Sequence, residues 1–146
     1  MTPEDLKRHA LFAQLNDDER EVVASLLDER KLLEGKSAFR EGSESEGLVL
    51  LESGRLKLRS RRTPGVLGTL EAPDHLGAAS LFALGQREVT ALAEGPCTIW
   101  ILSRSALSRL VDDCPRAAFR LAEAVAAELA GLARQGLGTL AQGDPD

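Results

Sequence analysis

The clearest fold signal in the chain is the segment GLVLLESGRLKLRSR, residues 47–61. An apolar run precedes Ser53-Gly54 and an alternating run follows it, which is typical of a tight turn between strands. In the second run, Leu56 and Leu58 alternate with basic residues, so that one face of the strand packs inward and the other faces water. The segment therefore predicts two β-strands joined by a tight turn.

The same pattern of short apolar segments and turns continues on both sides of this segment. From about residue 30 to residue 102, short apolar segments are separated by Gly, Pro, Ser and acidic turns, which gives about eight strand candidates. The last of them, Cys97–Leu102, is almost unbroken in its apolar character and predicts a strand that is covered on both faces. This spacing is typical of an antiparallel sandwich or barrel.

Helices are predicted before the β region. Thr2-Pro3 is typical of a short helix start, and Asn16 with Glu19 forms a capping-box pattern that opens a second helix, expected to end near Asp28. Acidic residues and Arg20 are expected on the solvent side of this second helix. Its apolar positions recur at helical spacing: Val22, Val23, Leu26 and Leu27.

Helices are also predicted after the β region. Ser103 or Ser105 can cap a helix that stops before Pro115, and Pro115 suits the first position of a final helix. A narrow apolar stripe on the final helix predicts a homodimer interface, with packing on the chain's own core as the alternative. The stripe consists of Leu121, Val125, Leu129 and Leu132. Residues 136–146 are rich in Gly and acids, which predicts a flexible tail after a domain of residues 1–135.

Composition restricts the possible functions. The chain has 146 residues, enough for one domain, and its 18 basic and 23 acidic residues give a net charge of −5, which disfavours binding to phosphate backbones. No run approaches the roughly 20 apolar residues of a membrane span, and the start lacks a signal-peptide pattern, so we expect a cytoplasmic protein without a membrane partner. Cys97 and Cys114 are predicted to be reduced, buried thiols.

Together with residues 47–58, the run LEGKSAFREG at residues 33–42 resembles the glycine-punctuated turns of the cyclic-nucleotide-binding domain family, of the catabolite activator protein sensor type. The resemblance covers about residues 8–135. It implies a mainly β fold with flanking helices: an eight-stranded antiparallel jelly-roll barrel, short N-terminal helices and a longer C-terminal helix. It also implies a regulatory role in signal transduction, like that of bacterial transcription regulators, and a cyclic nucleotide such as cAMP or cGMP as ligand.

The resemblance further implies a phosphate-binding cassette within residues 74–89. A short helix there would point free N–H groups at an anion, and one arginine would match the phosphate oxygens with its planar fork. The residues that fit this plan are Gly77, Ser80, Leu81 and Arg87. The remaining ligand-binding candidates are Ala78, Ala79, Glu88 and Val89.

Two cassette residues depart from the family pattern. Ala78 stands where the family has a glutamate that accepts from the ribose 2′-hydroxyl, and leaving that hydroxyl unpaired costs about 1–3 kcal/mol. Glu88 stands beside Arg87, and a carboxylate 4 Å from the phosphate adds about 4 kcal/mol of repulsion at an effective dielectric of about 20. We therefore expect weak or no binding of cAMP and cGMP. One further hypothesis is that Glu88 itself occupies the phosphate position.

Three function classes follow. The first is a non-enzymatic, stand-alone regulatory module with a degenerate cassette, which signals through contacts of its terminal helix with an unknown protein partner. The second is a functional sensor of a cyclic nucleotide or a small anion. The third, a cupin-like metal enzyme, is disfavoured because His9 and His75 form no metal-binding pattern and no catalytic motif is present; His75 is interpreted as a packed neutral imidazole. Only 26 residues follow Arg120, with one basic residue among them, which predicts no direct DNA binding.

Overall fold

Two short helices and a 3-10 turn open the chain in the computed structural model, which describes the backbone of residues 1–143 and the side chains of residues 1–140. These elements are α1 (Pro3–Lys7), the 3-10 turn (Ala10–Phe12) and α2 (Asp17–Ser25). Both predicted helix starts are confirmed, because Thr2 and Asp5 form one capping box and Asn16 and Glu19 form another. The second helix ends before the expected Asp28, since the first strand already begins at that residue.

Arg20 does not lie on the solvent side of α2, and that prediction is wrong. Arg20 is 4% exposed, and its Nη1 donates to the carbonyls of Phe12 (3.3 Å) and Leu15. Nη2 lies 2.7 Å from Asp17 Oδ1. Backbone carbonyls around the 3-10 turn need donors when they are buried, and a guanidinium has several. Arg20 therefore ties the turn to α2.

Within residues 1–143, eight strands form two four-stranded antiparallel sheets. The strands are β1 (Asp28–Leu32), β2 (Ser37–Phe39), β3 (Gly47–Ser53), β4 (Arg55–Ser60), β5 (Thr63–Glu71), β6 (His75–Leu76), β7 (Thr90–Ala93) and β8 (Cys97–Ser103). Their orders are β1-β8-β3-β6 in the first sheet and β2-β7-β4-β5 in the second. The predicted antiparallel jelly roll is confirmed, as two facing sheets rather than one closed barrel.

The tight turn at Ser53-Gly54 carries the chain from one sheet to the other, so β3 and β4 are joined without pairing. Gly54 has a φ of +90°, a region that side chains disfavour. A Cβ there would lie 2.5 Å from the Pro96 carbonyl oxygen and 2.6 Å from the Cys97 sulfur. Glycine is therefore required both by the conformation and by the close approach of the loop before β8.

Strand β3 is apolar throughout because both of its faces are covered. Leu48 and Leu50 pack into the cluster beneath the helices, whereas Val49 and Leu51 pack between the two sheets. These two clusters form the core. The neighbouring strand β8 contributes to both, which confirms the prediction that Cys97–Leu102 is covered on both faces.

Two helices follow the sheets, α3 (Arg104–Asp113) and α4 (Pro115–Gly143). Ser103 is the N-cap of α3, and its hydroxyl accepts from the Ala106 N–H at 3.1 Å. Pro115 opens α4, as expected. This helix continues through residue 136, so the predicted tail does not begin with a change of secondary structure, and residues 144–146 of that tail lie outside the described residues. The division of the chain at residue 135 stays a prediction.

The apolar stripe of α4 is divided between two environments. Leu121 and Val125 are 0% and 2% exposed and belong to the cluster beneath the helices. Leu129 and Leu132 are 44% and 58% exposed. The alternative of packing on the chain's own core thus describes the first half of the stripe. Only the second half presents side chains that a second copy can contact without disrupting the core.

Both cysteines are free thiols; Cys97 is buried, as expected, whereas Cys114 is only half-buried.

Among the described helices, none combines the length and the apolar character needed to cross a membrane.

Candidate functional site

The cassette begins where β6 ends at the edge of the first sheet. Gly77 follows β6 with a φ of +83°, and residues Ala78–Leu81 then form a single 3-10 turn. The Ser80 hydroxyl lies 2.6 Å from the Gly77 carbonyl and 2.9 Å from the carbonyl of Gly47, the first residue of β3. The turn is thereby fixed to the start of a core strand.

Arg87 also donates to the Gly47 carbonyl through its side chain. Its backbone N–H donates to Ser43 and its carbonyl accepts from Gly42, both at 2.8 Å, so the segment before β7 is held against the loop before β3. The Arg87 side chain is 7% exposed, and its Nη2 donates to the Gly47 carbonyl at 2.8 Å. Its guanidinium carbon lies 4.3 Å from the centre of the Phe39 ring. Gly77, Ser80 and Arg87, all predicted cassette residues, therefore come together in space.

The charge of Arg87 has no counter-ion within residues 1–140. It forms no ion pair there, and its Nε has no hydrogen-bond partner. Burial lowers the pKa of the guanidinium, and the Glu46 carboxylate partly opposes this effect. An arginine remains cationic in proteins, and a buried cation without an anion is unfavourable. The chemistry of the site therefore fits a small anion beside Arg87.

The other predicted cassette residues have no hydrogen bond or ion pair with the Arg87 guanidinium in the described part of the chain. Ala78 is 4% exposed and packs with Leu81 in the cluster beneath the helices, while Ala79 is exposed and Val89 is half-buried. The Ala78 methyl group offers no hydrogen-bond acceptor. Arg87 thus offers a positive charge and donors to a ligand, whereas the Ala78 side chain offers neither a donor nor an acceptor.

Glu88 does not occupy the phosphate position, and that hypothesis is wrong. Its side chain is exposed and forms no hydrogen bond or ion pair with any described residue. Arg87 is buried by the loop contacts of its own backbone, whereas the carboxylate of its neighbour keeps its hydration in water, which is favourable for a charge. The Glu88 carboxylate is therefore separate from the buried guanidinium of Arg87.

Sequence reasoning missed three contributors to the site. No sequence pattern pointed to Gly47, whose carbonyl is the shared acceptor for Ser80 and Arg87. Phe39 was not connected with Arg87. His75 was expected only to pack, yet its Nε2 lies 2.5 Å from Oε1 of Glu128 in α4. This contact links the strand before the cassette to the C-terminal helix across 53 positions, a separation at which the sequence shows no signal.

The second histidine, His9, lies buried close to His75. It is 2% exposed, and burial lowers its pKa, an effect that Arg8 and His75 increase and that the Pro73 carbonyl and Glu52 oppose. The folded state thus holds His9 neutral below the ordinary pKa of about 6.5.

We expect the free energy of unfolding to lose a contribution from His9 as the pH falls below about 6.5, because the unfolded chain then binds a proton that the folded chain excludes. Above that pH the contribution is constant. Urea unfolding at pH 7.5 and at pH 5.5 measures it, and the His9→Gln variant should show a smaller loss between the two values. An equal loss in the variant would assign the pH dependence to other groups.

Two antiparallel sheets, a long C-terminal helix and a cassette with a buried arginine define a regulatory domain of the cyclic-nucleotide-binding fold. The family model described as "Cyclic nucleotide-binding domain" matches residues 29–114, more than half of the chain. The chain belongs to this family, which confirms the resemblance found in its sequence.

Solved structures and curated relatives are consistent with this family assignment. The N-terminal domain of a transcriptional regulator from Streptomyces coelicolor A3(2) is 27% identical with a TM-score of 0.79, over 88% of this chain and 94% of that one. Catabolite Activator Protein from Thermus thermophilus is 26% identical with a TM-score of 0.78, over 91% and 62%. The cAMP-dependent protein kinase regulatory subunit of Yarrowia lipolytica is 26% identical over 106 residues, 73% of this chain. The chain spans 28% of the length of that relative.

Within the described residues, no group of three or more His, Cys, Asp or Glu side chains is placed to hold a metal ion.

Proposed function

We propose that the chain is a regulatory domain whose cassette retains its phosphate half and lacks its ribose half, so that it binds cAMP and cGMP weakly and acts through contacts of α4. The observation that carries this proposal is the buried Ala78, without an acceptor, beside Ser80 and Arg87, whose side chains share the Gly47 carbonyl as acceptor. The relatives support a regulatory role, since they are named as a kinase regulatory subunit, as the N-terminal domain of a transcriptional regulator and as a catabolite activator protein.

Of the two departures from the family, Ala78 has the larger effect. The unpaired ribose hydroxyl costs about 1–3 kcal/mol, equivalent to about five- to a hundredfold in affinity. Glu88 is exposed, so water and salt screen its repulsion of a bound phosphate to well below the value for a close, shielded pair. The weak affinity proposed here therefore rests on one missing acceptor.

We expect calorimetric titration with cAMP or cGMP to give a Kd above about 10 μM, or about −7 kcal/mol. The Ala78→Glu, Glu88→Ser variant should bind about five- to a hundredfold more tightly, because it restores an acceptor and removes a negative charge. Its thermal midpoint should fall without nucleotide and recover with it, since the new carboxylate is buried in an apolar cluster.

The matched control is Ala79→Glu with Glu88→Ser, which adds the same group at the exposed neighbouring position. It should leave both the affinity and the thermal midpoint close to those of the parent chain. A parent Kd below 10 μM, or equal gains in both variants, would contradict the proposal.

A second candidate function, a sensor of a small anion other than a cyclic nucleotide, is favoured by the buried charge of Arg87. Inorganic phosphate is the simplest probe. If phosphate raises the thermal midpoint of the parent chain but not that of Arg87→Lys, the anion binds at the cassette, because lysine keeps the charge and loses the planar fork. The absence of any shift in the parent would favour the first function.

The second half of α4 supports the part of the proposal that concerns partners. Its exposed leucines lie within one side of the helix: Leu129, Leu132, Leu137 and Leu140. Gly131, Gly136 and Gly138 lie in the same stretch, and glycine inside a helix is destabilising by about 0.5–1 kcal/mol relative to alanine. A helix of this composition gains stability from an apolar contact. We propose a second copy of the chain as that contact, which gives a homodimer.

A further inference from the structure

A cleft of about 620 Å³ lies on the outer face of the second sheet. Strand β7 separates the cleft from the space between the two sheets. Ala91 and Ala93 are buried between the sheets. Because side chains alternate along a strand, Thr90 and Leu92 face the opposite side, where they line the cleft. Arg87 packs in the interior, against Phe39. The cleft is therefore distinct from the cassette.

Three cations line this cleft: Lys36, Arg40 and Arg61. Within the described residues, Lys36 and Arg40 form no ion pair, and Arg61 Nε lies 3.7 Å from the carboxylate of Glu41. That carboxylate also accepts from the Ser60 hydroxyl at 3.2 Å and from the Arg61 backbone N–H at 3.0 Å. Among the described residues that line the cleft, none is Asp or Glu. Three positive charges against one negative charge leave an excess of about two.

Two hydroxyl groups add donors to the same lining. The Thr90 hydroxyl oxygen accepts from the Glu41 N–H at 2.9 Å, and the Ser37 hydroxyl oxygen lies 3.5 Å from Arg40 Nε as its acceptor. Neither hydroxyl donates to a described protein group, so both protons are available to a ligand. The polar side chains of the cleft thus offer donors, which is the chemistry of an anion site.

The basic character continues beyond the lining. Lys57 and Arg59 point outward from β4, and in the sheet register they lie opposite Leu92 and Thr90. The chain as a whole carries a net charge of −5, so this concentration of positive charge is local. A multiply charged anion is attracted to such a patch more strongly than a singly charged one.

We propose that the cleft binds a small molecule that carries a phosphomonoester or a diphosphate, the groups that bring at least two negative charges. Lys36 and Arg40 contact the phosphate oxygens, the Ser37 and Thr90 hydroxyls donate to them, and Leu92 offers an apolar surface to the remainder of an organic ligand. A cyclic nucleotide, with one negative charge, matches this excess less well.

The test is calorimetric titration of the 146-residue chain with pyrophosphate at low salt. The Lys36→Gln, Arg40→Gln variant should bind at least about tenfold more weakly, since it loses two charge-assisted contacts. The control is the Arg109→Gln, Arg116→Gln variant. These two arginines are exposed on α3 and α4, so replacing them removes the same total charge at a place outside the cleft. This control should stay within about twofold of the parent. AMP and ADP titrations then show whether a nucleoside adds to the phosphate chemistry.

Three results would overturn this proposal. The first is no heat and no change in thermal midpoint at about 1 mM pyrophosphate. The second is equal weakening in the cleft variant and the control variant, which would indicate a general effect of net charge. The third is loss of binding in Arg87→Lys with retention in the cleft variant, which would place the anion at the cassette.

Discussion

We expect Leu121→Ala to lower the free energy of unfolding by about 2–5 kcal/mol, the range for removing a buried leucine side chain. Leu121 is fully buried, and it packs in the cluster beneath the helices together with Leu110 and Ala117. Its loss leaves a cavity where α4 meets the rest of the domain. Urea unfolding followed by circular dichroism measures the change in free energy, provided that the slope with denaturant stays constant.

The matched variant is Leu132→Ala, eleven residues further along the same stripe. Leu132 is 58% exposed, so the free energy of unfolding of dilute protein should change by less than about 0.5 kcal/mol. Self-association, measured by light scattering over a concentration series, should weaken. A parent chain that stays monomeric at high concentration would contradict the homodimer, and a loss of stability as large as that of Leu121→Ala would show that the second half of α4 packs on its own domain.

The second large effect concerns Gly77. We expect Gly77→Ala to reduce the free energy of unfolding by more than the about 1–2 kcal/mol that a left-handed conformation costs an alanine. Its φ is +83°, and a Cβ built on it would overlap the Arg87 guanidinium, which would then have to move from the Gly47 carbonyl. Any anion bound through Arg87 should be lost as well. Chemical unfolding and calorimetry with phosphate measure the two effects.

Gly35→Ala separates the two causes. Gly35 has nearly the same φ, +82°, and a Cβ there would meet no atom within 4 Å. It should therefore show the conformational cost alone, without any effect on the cassette. The difference between the two variants measures the close approach of Arg87, and equal losses would mean that Arg87 adjusts without cost.

Much of the fold could be predicted from the sequence, because the signals are local. A capping box needs residues three positions apart, as in Asn16 and Glu19, and the predicted capping box forms. Pro115 begins a helix because its fixed φ and missing N–H suit that position. The apolar run at Cys97–Leu102 indicated a covered strand because burial on both faces removes the alternation of side chains.

The cassette was only partly predictable. Gly77, Ser80 and Arg87 were identified through a resemblance, and they do lie together. The sequence did not show that Glu88 is exposed beside a buried Arg87, since the path of the loop, held by backbone bonds to Gly42 and Ser43, decides which side chain is buried. A charge pattern alone does not distinguish two such neighbours.

The sequence by itself determined the strands, the caps and the apolar stripe of α4, because each depends on residues within one or two turns of chain. Only the tertiary structure decided which half of that stripe is covered, that His75 meets Glu128, that Arg20 is buried, and that the cations around Lys36 share one cleft. Apart from the burial of Arg20, which depends on the turn just before its own helix, these facts join residues far apart in the chain. Their proximity is set by how the sheets and helices pack, and no spacing of residue types encodes that geometry.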